Sequence, residues 1–316
     1  MADVTKNIPV SGPNMEELGI PIATLPNLRR VDSTNKIFRS SRQDLVSPED
    51  CKKLNQLGIR TILDFRSPSE YKRASGNKLF DANTEIVSTL VPSKKNRDSP
   101  IRTKKVTVNP PGPEYESRVK RRYLFDFFQF NYIKAVFVRA TWYQQLISLL
   151  YLIVDLIMRN HFKYFVRYFG VTVLNPAGLG QQYIDILEYS STQIQIALRL
   201  LSEPENLPAL ISCAHGKDRT GIVVALVQLL LGKSTDYVAE EYALSEIGLQ
   251  GIRQRVEVEI IDRFHFDESF THARKETMLT TLQYIYDTYG SVESYLEYIG
   301  LGKEDQEKLK QALEAE

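Results

Sequence analysis

The hydrophobic pattern divides the start of the chain into a polar lead, a helix and a strand. Residues 1–24 contain three prolines and few periodic apolar positions, which predicts no more than a flexible arm. Ser47 and Pro48 are typical N-cap and first-turn residues, and the helix that they open is predicted to end at Gly58. Residues 59–65 are short, apolar and rich in β-formers, so we expect a buried strand.

The C-terminal half shows a more regular alternation of helix and strand patterns. Residues 181–201 have an apolar pattern that predicts one long helix, and residues 207–213 form a second short apolar run that predicts a strand. Residues 220–231 are apolar enough for a buried helix, with Gly232 placed as its C-cap glycine. Boundaries of later helices are indicated by Gly290, Ser291 and Gly300. Together these elements predict an α/β fold.

The middle of the chain does not follow this alternation. Residues 93–122 hold four prolines and ten basic residues against three acids, which predicts a basic loop. Residues 123–169 contain 15 aromatic residues and predict two amphipathic helices with very apolar faces. We interpret residues 93–177 as an insertion in a single domain that covers residues 25–316.

Composition narrows the class of protein. With 316 residues, 43% of them hydrophobic, the chain has enough apolar material for a core, and a net charge of +1 argues against a general nucleic-acid binder. Two cysteines exclude a disulfide scaffold and a cysteine-rich zinc site. The N-terminus does not resemble a signal peptide, and residues 146–158 are too short an apolar stretch to span a membrane. A cytoplasmic location is therefore expected.

The most informative segment is residues 212–221, Ser-Cys-Ala-His-Gly-Lys-Asp-Arg-Thr-Gly, between a predicted strand and a predicted helix. Main-chain N–H groups between Cys213 and Arg219 can surround one anion at the positive end of a helix dipole. Gly216 permits the tight turn, and the Arg219 guanidinium can hold two oxygens of a phosphate. The same donors favour a thiolate at Cys213, so the segment predicts a nucleophile directed at phosphorus. A Walker A loop lacks the cysteine, so an ATPase is excluded.

This motif resembles the signature loop of cysteine-dependent tyrosine and dual-specificity phosphatases. The form Cys-x-x-Gly-Lys-Asp-Arg-Thr-Gly is similar to the branch of bacterial secreted tyrosine phosphatases that also accept phosphoinositides. Further matches to that branch lie at 38–40, 57–67 with Glu70, 240–245 and 289–296, so the resemblance covers most of residues 28–312. It implies a phosphatase fold in which a short, mostly parallel sheet is flanked by helices, with a helical insertion before the catalytic loop.

The resemblance also implies the catalytic roles. Cys213 would attack the phosphoryl group, Arg219 would stabilise the transition state, and Thr220 would support the thiolate. No tryptophan-proline-aspartate loop is recognisable, so Asp218 is the candidate general acid, with Asp64 and Asp98 as reserves. No metal or cofactor is expected.

The remaining loop residues, Ala214, His215, Gly216 and Lys217, are candidates for binding the substrate phosphate. Extra positive charge from Lys217 and His215 would favour multiply anionic ligands, although both could be solvated loop residues. Ser212 departs from the family, which usually has histidine before the nucleophile, and this departure could weaken the tuning of the thiolate.

Several residues have a simpler alternative role. Asp64, Arg66 and Glu70 are more simply an ion-pair network at a strand end than part of the active site. Cys51 is expected to be a partly buried small residue and not a redox partner of Cys213. The aromatic insertion could be a lid, ordinary core or a membrane contact.

We therefore expect an enzyme that hydrolyses phosphomonoesters, with a phosphotyrosine protein as the first substrate class. A phosphoinositide at an anionic membrane surface is the second, and a catalytically inactive phosphate-binding adaptor is the third. No nucleic acid is expected as a partner.

Overall fold

A computed structural model describes residues 12–32, 34–90, 100–108, 118–160 and 162–314. Within these ranges, one seven-stranded sheet forms the centre of the protein, in the order β1-β2-β7-β3-β6-β4-β5. The five inner strands are parallel, and the two edge strands are antiparallel to their neighbours. In chain order the strands are Arg29–Arg30 (β1), Ile37–Ser40 (β2), Thr61–Asp64 (β3), Glu85–Leu90 (β4), Arg102–Lys105 (β5), Arg121–Leu124 (β6) and Ala209–Ser212 (β7). The predicted α/β class is confirmed.

Fifteen α-helices surround the sheet within the described residues. The first eight are Met15–Leu18 (α1), Pro48–Gln56 (α2), Pro68–Arg73 (α3), Phe130–Arg139 (α4), Trp142–Met158 (α5), Lys163–Phe169 (α6), Asn175–Tyr189 (α7) and Ser191–Leu201 (α8). The others are Asp218–Leu230 (α9), Thr235–Ala243 (α10), Ser245–Leu249 (α11), Arg253–Glu257 (α12), Lys275–Tyr289 (α13), Val292–Ile299 (α14) and Lys303–Glu314 (α15).

Strands and helices with local signals lie where they were predicted. β3 and β7 fall within the two predicted strands, and both are fully buried. α2 begins after Ser47, whose hydroxyl accepts a hydrogen bond from the N–H of Asp50 at 3.2 Å. α9 is followed by Gly232 at φ +77°, a left-handed conformation that glycine adopts without strain.

The single long helix expected over 181–201 is wrong. Ser190 has φ −113° and ψ 18° and separates α7 from α8. Its hydroxyl donates to the Phe127 carbonyl at 2.5 Å, so a serine that could have continued the helix is held in a turn by a distant segment.

The loop expected over 93–122 is also wrong in part. Residues 102–105 form the edge strand β5, and Arg121 and Arg122 begin β6, which lies inside the sheet between β3 and β4. β6 is short and opens with two arginines, so it has no apolar run that would reveal a buried strand. The following segment contains three helices, α4 to α6, and not two.

The described part of the predicted arm, 12–24, is not a free segment. It contains α1, and it buries Leu18 and Ile22. Ile22 belongs to a hydrophobic cluster that also includes Leu54 of α2. The division into an arm and one domain with an insertion otherwise stays a prediction.

The sheet separates the two larger of three hydrophobic clusters in the described residues, because successive strand residues point to opposite faces. Leu210 packs with Phe38 and Ile62 in the smaller core, under α2. Ile211, the next residue of β7, belongs to the larger core. That core takes up buried side chains from α4 and from α7 through α10, and also from α13, α14 and α15.

No helix in the described part of the chain is long and apolar enough to cross a membrane. The interpretation of the aromatic segment as ordinary core is wrong for α5, because most of its large apolar side chains are exposed.

Candidate active site

The signature loop lies at the middle of the sheet, at the carboxyl end of β7. β7 ends at Ser212 and α9 begins at Asp218, so residues 213–217 form the connection between a buried strand and a buried helix. The ends of β2 and β3 lie on either side of β7. Ligands of α/β proteins bind at this edge of a parallel sheet, because the loops that follow the strands meet there.

Side chains outside the loop hold two of its carbonyl groups. The side-chain amide of Asn27 donates to the carbonyls of His215 and Gly216, each at 3.1 Å. Nη2 of Arg39 donates to the Gly216 carbonyl at 2.7 Å. The carbonyl of one residue and the N–H of the next lie in the same planar peptide, so holding the carbonyls of His215 and Gly216 also fixes where the N–H groups of Gly216 and Lys217 point.

The N–H groups of the loop have no acceptor within the protein. Among the described residues, no carbonyl and no side chain accepts a hydrogen bond from the main-chain N–H groups of residues 214–220. Buried N–H groups are nearly always paired, so a run of unpaired ones at a helix N-terminus is the arrangement that binds an anion.

Gly216 is required by two independent constraints. Its φ is +66°, and a Cβ atom at this position would lie 2.1 Å from the carbonyl oxygen of Ser40 at the end of β2. Any side chain would therefore push the loop away from the sheet.

A buried ion cluster supports Arg39. The Glu241 carboxylate of α10 accepts hydrogen bonds from Arg29 Nε and Arg39 Nη1, both at 2.6 Å, and all three side chains are at most 1% exposed. Burial raises the pKa of Glu241, but the two arginines outweigh it and hold that pKa below its ordinary value. Residues 38–40 and 240–245 are two of the segments that carry the resemblance to the phosphatase family. In the structure they are in contact through Arg39 and Glu241, on the side of the loop where Arg39 holds the Gly216 carbonyl.

Cys213 lies at the start of the loop and is 2% exposed. Burial lowers the pKa of Arg219, but the charge of Glu70 and the interaction with Cys213 raise it, and the net pKa lies above the ordinary value. The sulfur of Cys213 and the Arg219 guanidinium are therefore close enough to interact electrostatically.

Arg219 is held by an acidic residue from another element. Nη1 donates to the Phe65 carbonyl at 2.6 Å, and Nη1 and Nη2 contact the Glu70 carboxylate at 3.1 Å. The guanidinium also lies 5.0 Å from the ring centre of Phe128. Nε of Arg219 has no acceptor among the described residues, so part of the guanidinium stays available for phosphoryl oxygens.

Glu70 thus has a different role from the one expected. It was placed with Asp64 and Arg66 in one strand-end network, but its carboxylate pairs with Arg219 of the loop. Glu70 also completes the capping box of α3, where its carboxylate accepts the N–H of Ser67 at 2.9 Å.

Asp64 belongs to a buried structural network, as expected. It is 0% exposed, and its carboxylate contacts Arg66 at 2.6 Å and Arg122 at 2.8 Å. Burial raises the pKa of Asp64, but the two arginines outweigh this and hold it low. A carboxylate held in this way cannot supply a proton, so Asp64 is wrong as a reserve general acid. The other reserve, Asp98, lies outside the described residues.

Asp218 lies in the first turn of α9, where its carboxylate is held by tyrosines. The Tyr183 hydroxyl donates to Oδ1 of Asp218 at 2.5 Å, and the Tyr242 hydroxyl lies 2.6 Å from that of Tyr183. Oδ2 of Asp218 accepts no hydrogen bond from the described residues, and the side chain is 25% exposed. The carboxylate is therefore oriented and partly accessible, as a proton donor must be.

Lys217 does not point to an open surface. Its ammonium group is 0% exposed and donates to the carbonyls of Phe270 at 2.6 Å and His272 at 3.0 Å. It also lies 3.3 Å from Oδ1 of Asp218. The Lys217 side chain therefore connects the loop to residues 268–272. It is neither a substrate contact nor a solvated loop residue, which were the two roles expected from the sequence.

His215 is likewise directed into the protein. Its Nε2 lies 2.9 Å from Oε2 of Glu259. The other carboxylate oxygen of Glu259, Oε1, lies 2.7 Å from Nη2 of Arg42. Burial lowers the pKa of His215, so the ring is neutral near pH 7 and adds no positive charge to the loop. Ala214 is positioned through its carbonyl, which accepts the N–H of Arg42 at 3.3 Å.

Two buried hydroxyl groups bound the loop, one directly before Cys213 and one directly after Arg219. Thr220 and Ser212 are both 0% exposed, and neither hydroxyl has a hydrogen-bond partner among the described residues. Buried hydroxyl groups without a partner are uncommon in folded proteins.

Asp126 is a candidate functional residue that no motif in the sequence indicated. This residue follows β6, the strand that was missed, and so lies at the same edge of the sheet as the loop. Burial and the negative charge of Glu70 raise the pKa of Asp126, although a hydrogen bond from the Phe128 N–H and the charge of Arg219 oppose this. A half-buried carboxyl that interacts with Arg219 is a second candidate proton donor. A correct prediction of β6 would have placed Asp126 at the same edge of the sheet as the loop.

The two cysteines lie in different cores. Cys51 packs in the smaller core and Cys213 in the larger, and both are free thiols. Burial, followed by the charge of Asp81, raises the pKa of the Cys51 thiol, so it is a poor nucleophile.

A cysteine at the end of a central parallel strand, unpaired amides and a fixed arginine define a phosphate site of the cysteine-dependent phosphatase class. A family model described as the tyrosine phosphatase family matches residues 19–150 and 173–315, which is most of the chain. The chain belongs to this family.

Two curated relatives support the same assignment. A triple specificity protein phosphatase, PtpB, of Mycobacterium tuberculosis is 34% identical over 110 residues, which are 30% of this chain and 40% of the relative. A tyrosine-protein phosphatase of Nostoc commune is 28% identical over 144 residues, which are 43% of this chain and 49% of the relative. The match thus spans less than half the length of either relative.

Proposed function

We propose that this protein hydrolyses phosphomonoesters through a cysteinyl-phosphate intermediate, with phosphotyrosine in proteins as the first substrate class. The observation that carries the proposal is the set of unpaired main-chain N–H groups at residues 214–220, between the Cys213 thiol and the Arg219 guanidinium. Such a set of donors stabilises both a thiolate and the charge on a phosphoryl group in the transition state.

In the first step, the Cys213 thiolate attacks phosphorus, a sulfur–phosphorus bond forms, and the bond from phosphorus to the leaving oxygen breaks. The loop N–H groups and Arg219 bind the equatorial oxygens, and the Asp218 carboxyl protonates the leaving oxygen. In the second step, the Asp218 carboxylate takes a proton from water, the water oxygen attacks phosphorus, and the sulfur–phosphorus bond breaks to release inorganic phosphate and the thiolate. The hydroxyl of Thr220 would stabilise the departing sulfur.

The roles of the loop residues follow from their contacts. Ala214 and Gly216 offer main-chain N–H groups to the phosphate. We assign His215 and Lys217 to the same ring through their N–H groups only, because their side chains are bound to Glu259 and to main-chain carbonyls.

The test is hydrolysis of an aryl phosphate without added metal, comparing Cys213→Ser with Cys51→Ala. We expect Cys213→Ser to lower kcat on the order of 10⁴-fold or more, because an alcohol is not ionised at neutral pH. Cys51→Ala should keep activity near that of the native protein, since Cys51 lies in the other core. Activity that survives in folded Cys213→Ser would refute the mechanism.

A phosphoinositide is the second candidate substrate, favoured by the exposed lysines of β5. A lipid-directed enzyme would turn over phosphoinositide vesicles faster than phosphotyrosine peptides. Replacing Lys104 and Lys105 by glutamine would then reduce turnover on vesicles but not on peptides. Lys94 and Lys95, the other half of this basic segment, lie outside the described residues.

An adaptor without activity is the third candidate. It would bind phosphate analogues and hydrolyse neither substrate. The presence of both Cys213 and a positioned Arg219 argues against it.

A further inference from the structure

Exposed apolar side chains are concentrated in one part of the molecule. Among the described residues, 23 large apolar side chains are exposed, and 17 of them lie within residues 130–171. We call the exposed side chains of 130–171 the hairpin surface, because α5 and α6 within it pack against each other. Isolated exposed apolar residues are ordinary, but a contiguous set of this size marks a surface that binds something apolar.

The helix α5 has its apolar and polar sides reversed relative to a helix of a globular protein. Its 17 residues include only two buried ones, Ser148 and Asp155, and both are polar. Its exposed side chains include Leu146, Leu150 and Ile157, which are 52%, 55% and 77% exposed. A surface helix normally buries its apolar stripe and exposes its polar one.

Specific hydrogen bonds hold α5 in this orientation. The Asp155 carboxylate accepts the N–H groups of Tyr164 at 3.1 Å and Phe165 at 2.7 Å, which are in the first turn of α6. The side-chain amide of Gln144 donates to the Thr172 carbonyl at 3.0 Å. Rotating α5 to bury its leucines would break these contacts, so the outward apolar face is built into the fold.

The charged groups on the hairpin surface are all positive. Exposed cations in the described part of 130–171 are Lys134, Arg139, Arg159, Lys163 and Arg167. The one acid in this part of the chain, Asp155, is 1% exposed. Of the five cations, only Arg139 forms an ion pair with a described residue, Asp185. The surface therefore presents apolar side chains and unpaired cations, without an exposed carboxylate.

We propose that the hairpin surface docks onto an anionic lipid bilayer, with α5 lying in the plane of the headgroups and its apolar face inserted. Its 17 residues give a length of roughly 25 Å, which suits an interfacial helix. A second copy of the chain would bring the same positive charge and is disfavoured, whereas anionic headgroups complement both the cations and the apolar face.

The hairpin surface begins beside the candidate active site. The Phe128 ring stacks on Arg219, and its centre lies 4.9 Å from that of Tyr132 in α4. Docking would thus bring the site to the membrane interface, although docking itself does not depend on the proposed catalysis. The family model leaves residues 151–172 unmatched, so the second half of α5 and all of α6 are not explained by the family.

The single tryptophan of the chain allows a direct test. Trp142 lies in the first turn of α5 and is 76% exposed. Titration with vesicles that contain about 30% phosphatidylserine should shift Trp142 emission to shorter wavelength, and brominated acyl chains should quench it. Vesicles of phosphatidylcholine alone should give little shift, and Cys213→Ser should bind like the native protein. A failure of catalysis would therefore leave this result intact.

Two sets of substitutions separate the apolar contribution from the charged one. Replacing Leu146, Leu150 and Ile157 by glutamine should lower co-sedimentation with anionic vesicles at least tenfold, because each is exposed and none is part of a core. The matched control replaces three exposed apolar residues elsewhere, Leu45, Ile247 and Tyr298, and should bind normally. Far-UV circular dichroism confirms that each variant is folded.

Charge is tested by replacing Lys134, Arg159, Lys163 and Arg167 with glutamine. Each loss should weaken the partition coefficient about fivefold, which corresponds to about 1 kcal/mol. Replacing Lys52, Lys72 and Lys303, which are exposed outside the hairpin surface, is the control.

Three results would overturn the proposal. The first is an unchanged Trp142 emission with every vesicle composition. The second is an emission shift that depends on protein concentration without lipid, together with dimers in light scattering, which would assign the surface to self-association. The third is a shift caused by vanadate in the absence of lipid and no shift with vesicles, which would assign the hairpin to a lid over the active site.

Discussion

Glu70 shows how one side chain can serve both a helix and a catalytic site. It caps α3 through the Ser67 N–H and fixes the Arg219 guanidinium from the far side of the loop. Burial raises the pKa of Glu70, but Arg219 outweighs this and holds it below its ordinary value, so the carboxylate stays charged. Arg219 is thereby preorganised before a phosphate arrives, and no rearrangement is needed in the transition state.

Two residues are candidates for the general acid, Asp218 and Asp126. We expect Asp218→Asn to lower kcat for a substrate with a poor leaving group about 10²- to 10⁴-fold and to remove the basic limb of the pH-rate profile. Asp126→Asn should retain that limb and lower kcat by less than about tenfold. The measurement is kcat against pH for phenyl phosphate.

If Asp126→Asn removes the basic limb and Asp218→Asn retains it, Asp126 is the general acid. Its raised pKa makes it protonated at a higher pH than an ordinary aspartate, which suits a proton donor. A substrate with a good leaving group serves as the control, since neither variant should slow its first step as strongly.

Among the secondary-structure elements, the loop depends on its neighbours more than on its own sequence. β2 contributes Arg39 and the backbone against which Gly216 packs, and α10 contributes Glu241. The N-terminal part of α9 is held by Tyr242, whose ring would lie 2.9 Å from a Cβ atom at Gly221. The loop is therefore held in place by a rigid, buried support.

Glu241→Gln tests this support. Removing the carboxylate leaves two buried guanidinium groups without a counter-charge, so the free energy of unfolding should fall by about 3–5 kcal/mol. Glu240→Gln is the matched control, because Glu240 is the adjacent residue and pairs with Lys275 on the surface. Its effect should stay below about 1 kcal/mol. Urea denaturation followed by circular dichroism measures both, and equal effects would contradict a special role for the buried cluster.

For the molecule as a whole, buried ionised groups are collected at the carboxyl edge of the sheet. Asp64, Glu70, Glu241 and Glu259 all have pKa values below their ordinary ones. Burial raises the pKa of Glu259, but the hydrogen bond with His215 and the positive charges of Arg42 and Arg255 outweigh burial and lower that pKa to about 2. The part of the protein that forms the site is thus the part most sensitive to acid.

This distribution predicts how stability depends on pH. A carboxyl with a lowered pKa in the folded state stabilises the protein fully above about pH 4.5, and that contribution is lost as the pH falls through the folded pKa. His215 acts in the same direction below about pH 6.5, because the unfolded chain takes up a proton that the buried ring does not. Only the raised pKa of Asp126 opposes this trend among the groups discussed.

We therefore expect the Tm to be flat near pH 7, to decline below about pH 6.5 and to fall steeply below about pH 4.5. Scanning calorimetry at intervals of half a pH unit measures this curve. A Tm that stays constant or rises between pH 6 and pH 4 would show that the ion clusters do not carry this stability.

Much of the candidate site could be predicted because its residues are adjacent in the chain. Cys213, Gly216 and Arg219 lie within seven consecutive residues, and a strand, a tight turn and a helix N-terminus are local features with local signals. β3, β7, α2 and α9 were predicted for the same reason, since their apolar runs and capping residues are visible without knowledge of the fold. Family membership followed from the same contiguous motif.

Contacts between distant segments had no such signal. β6 begins with arginines because its neighbours supply acids to neutralise them, and Lys217 and His215 face inward because residues 259–272 offer acceptors. The outward apolar face of α5 was hidden for a related reason, because an amphipathic pattern is the same whichever side faces the protein. Periodicity defines a helix and its two sides, but only packing against α6 determines which side meets the solvent.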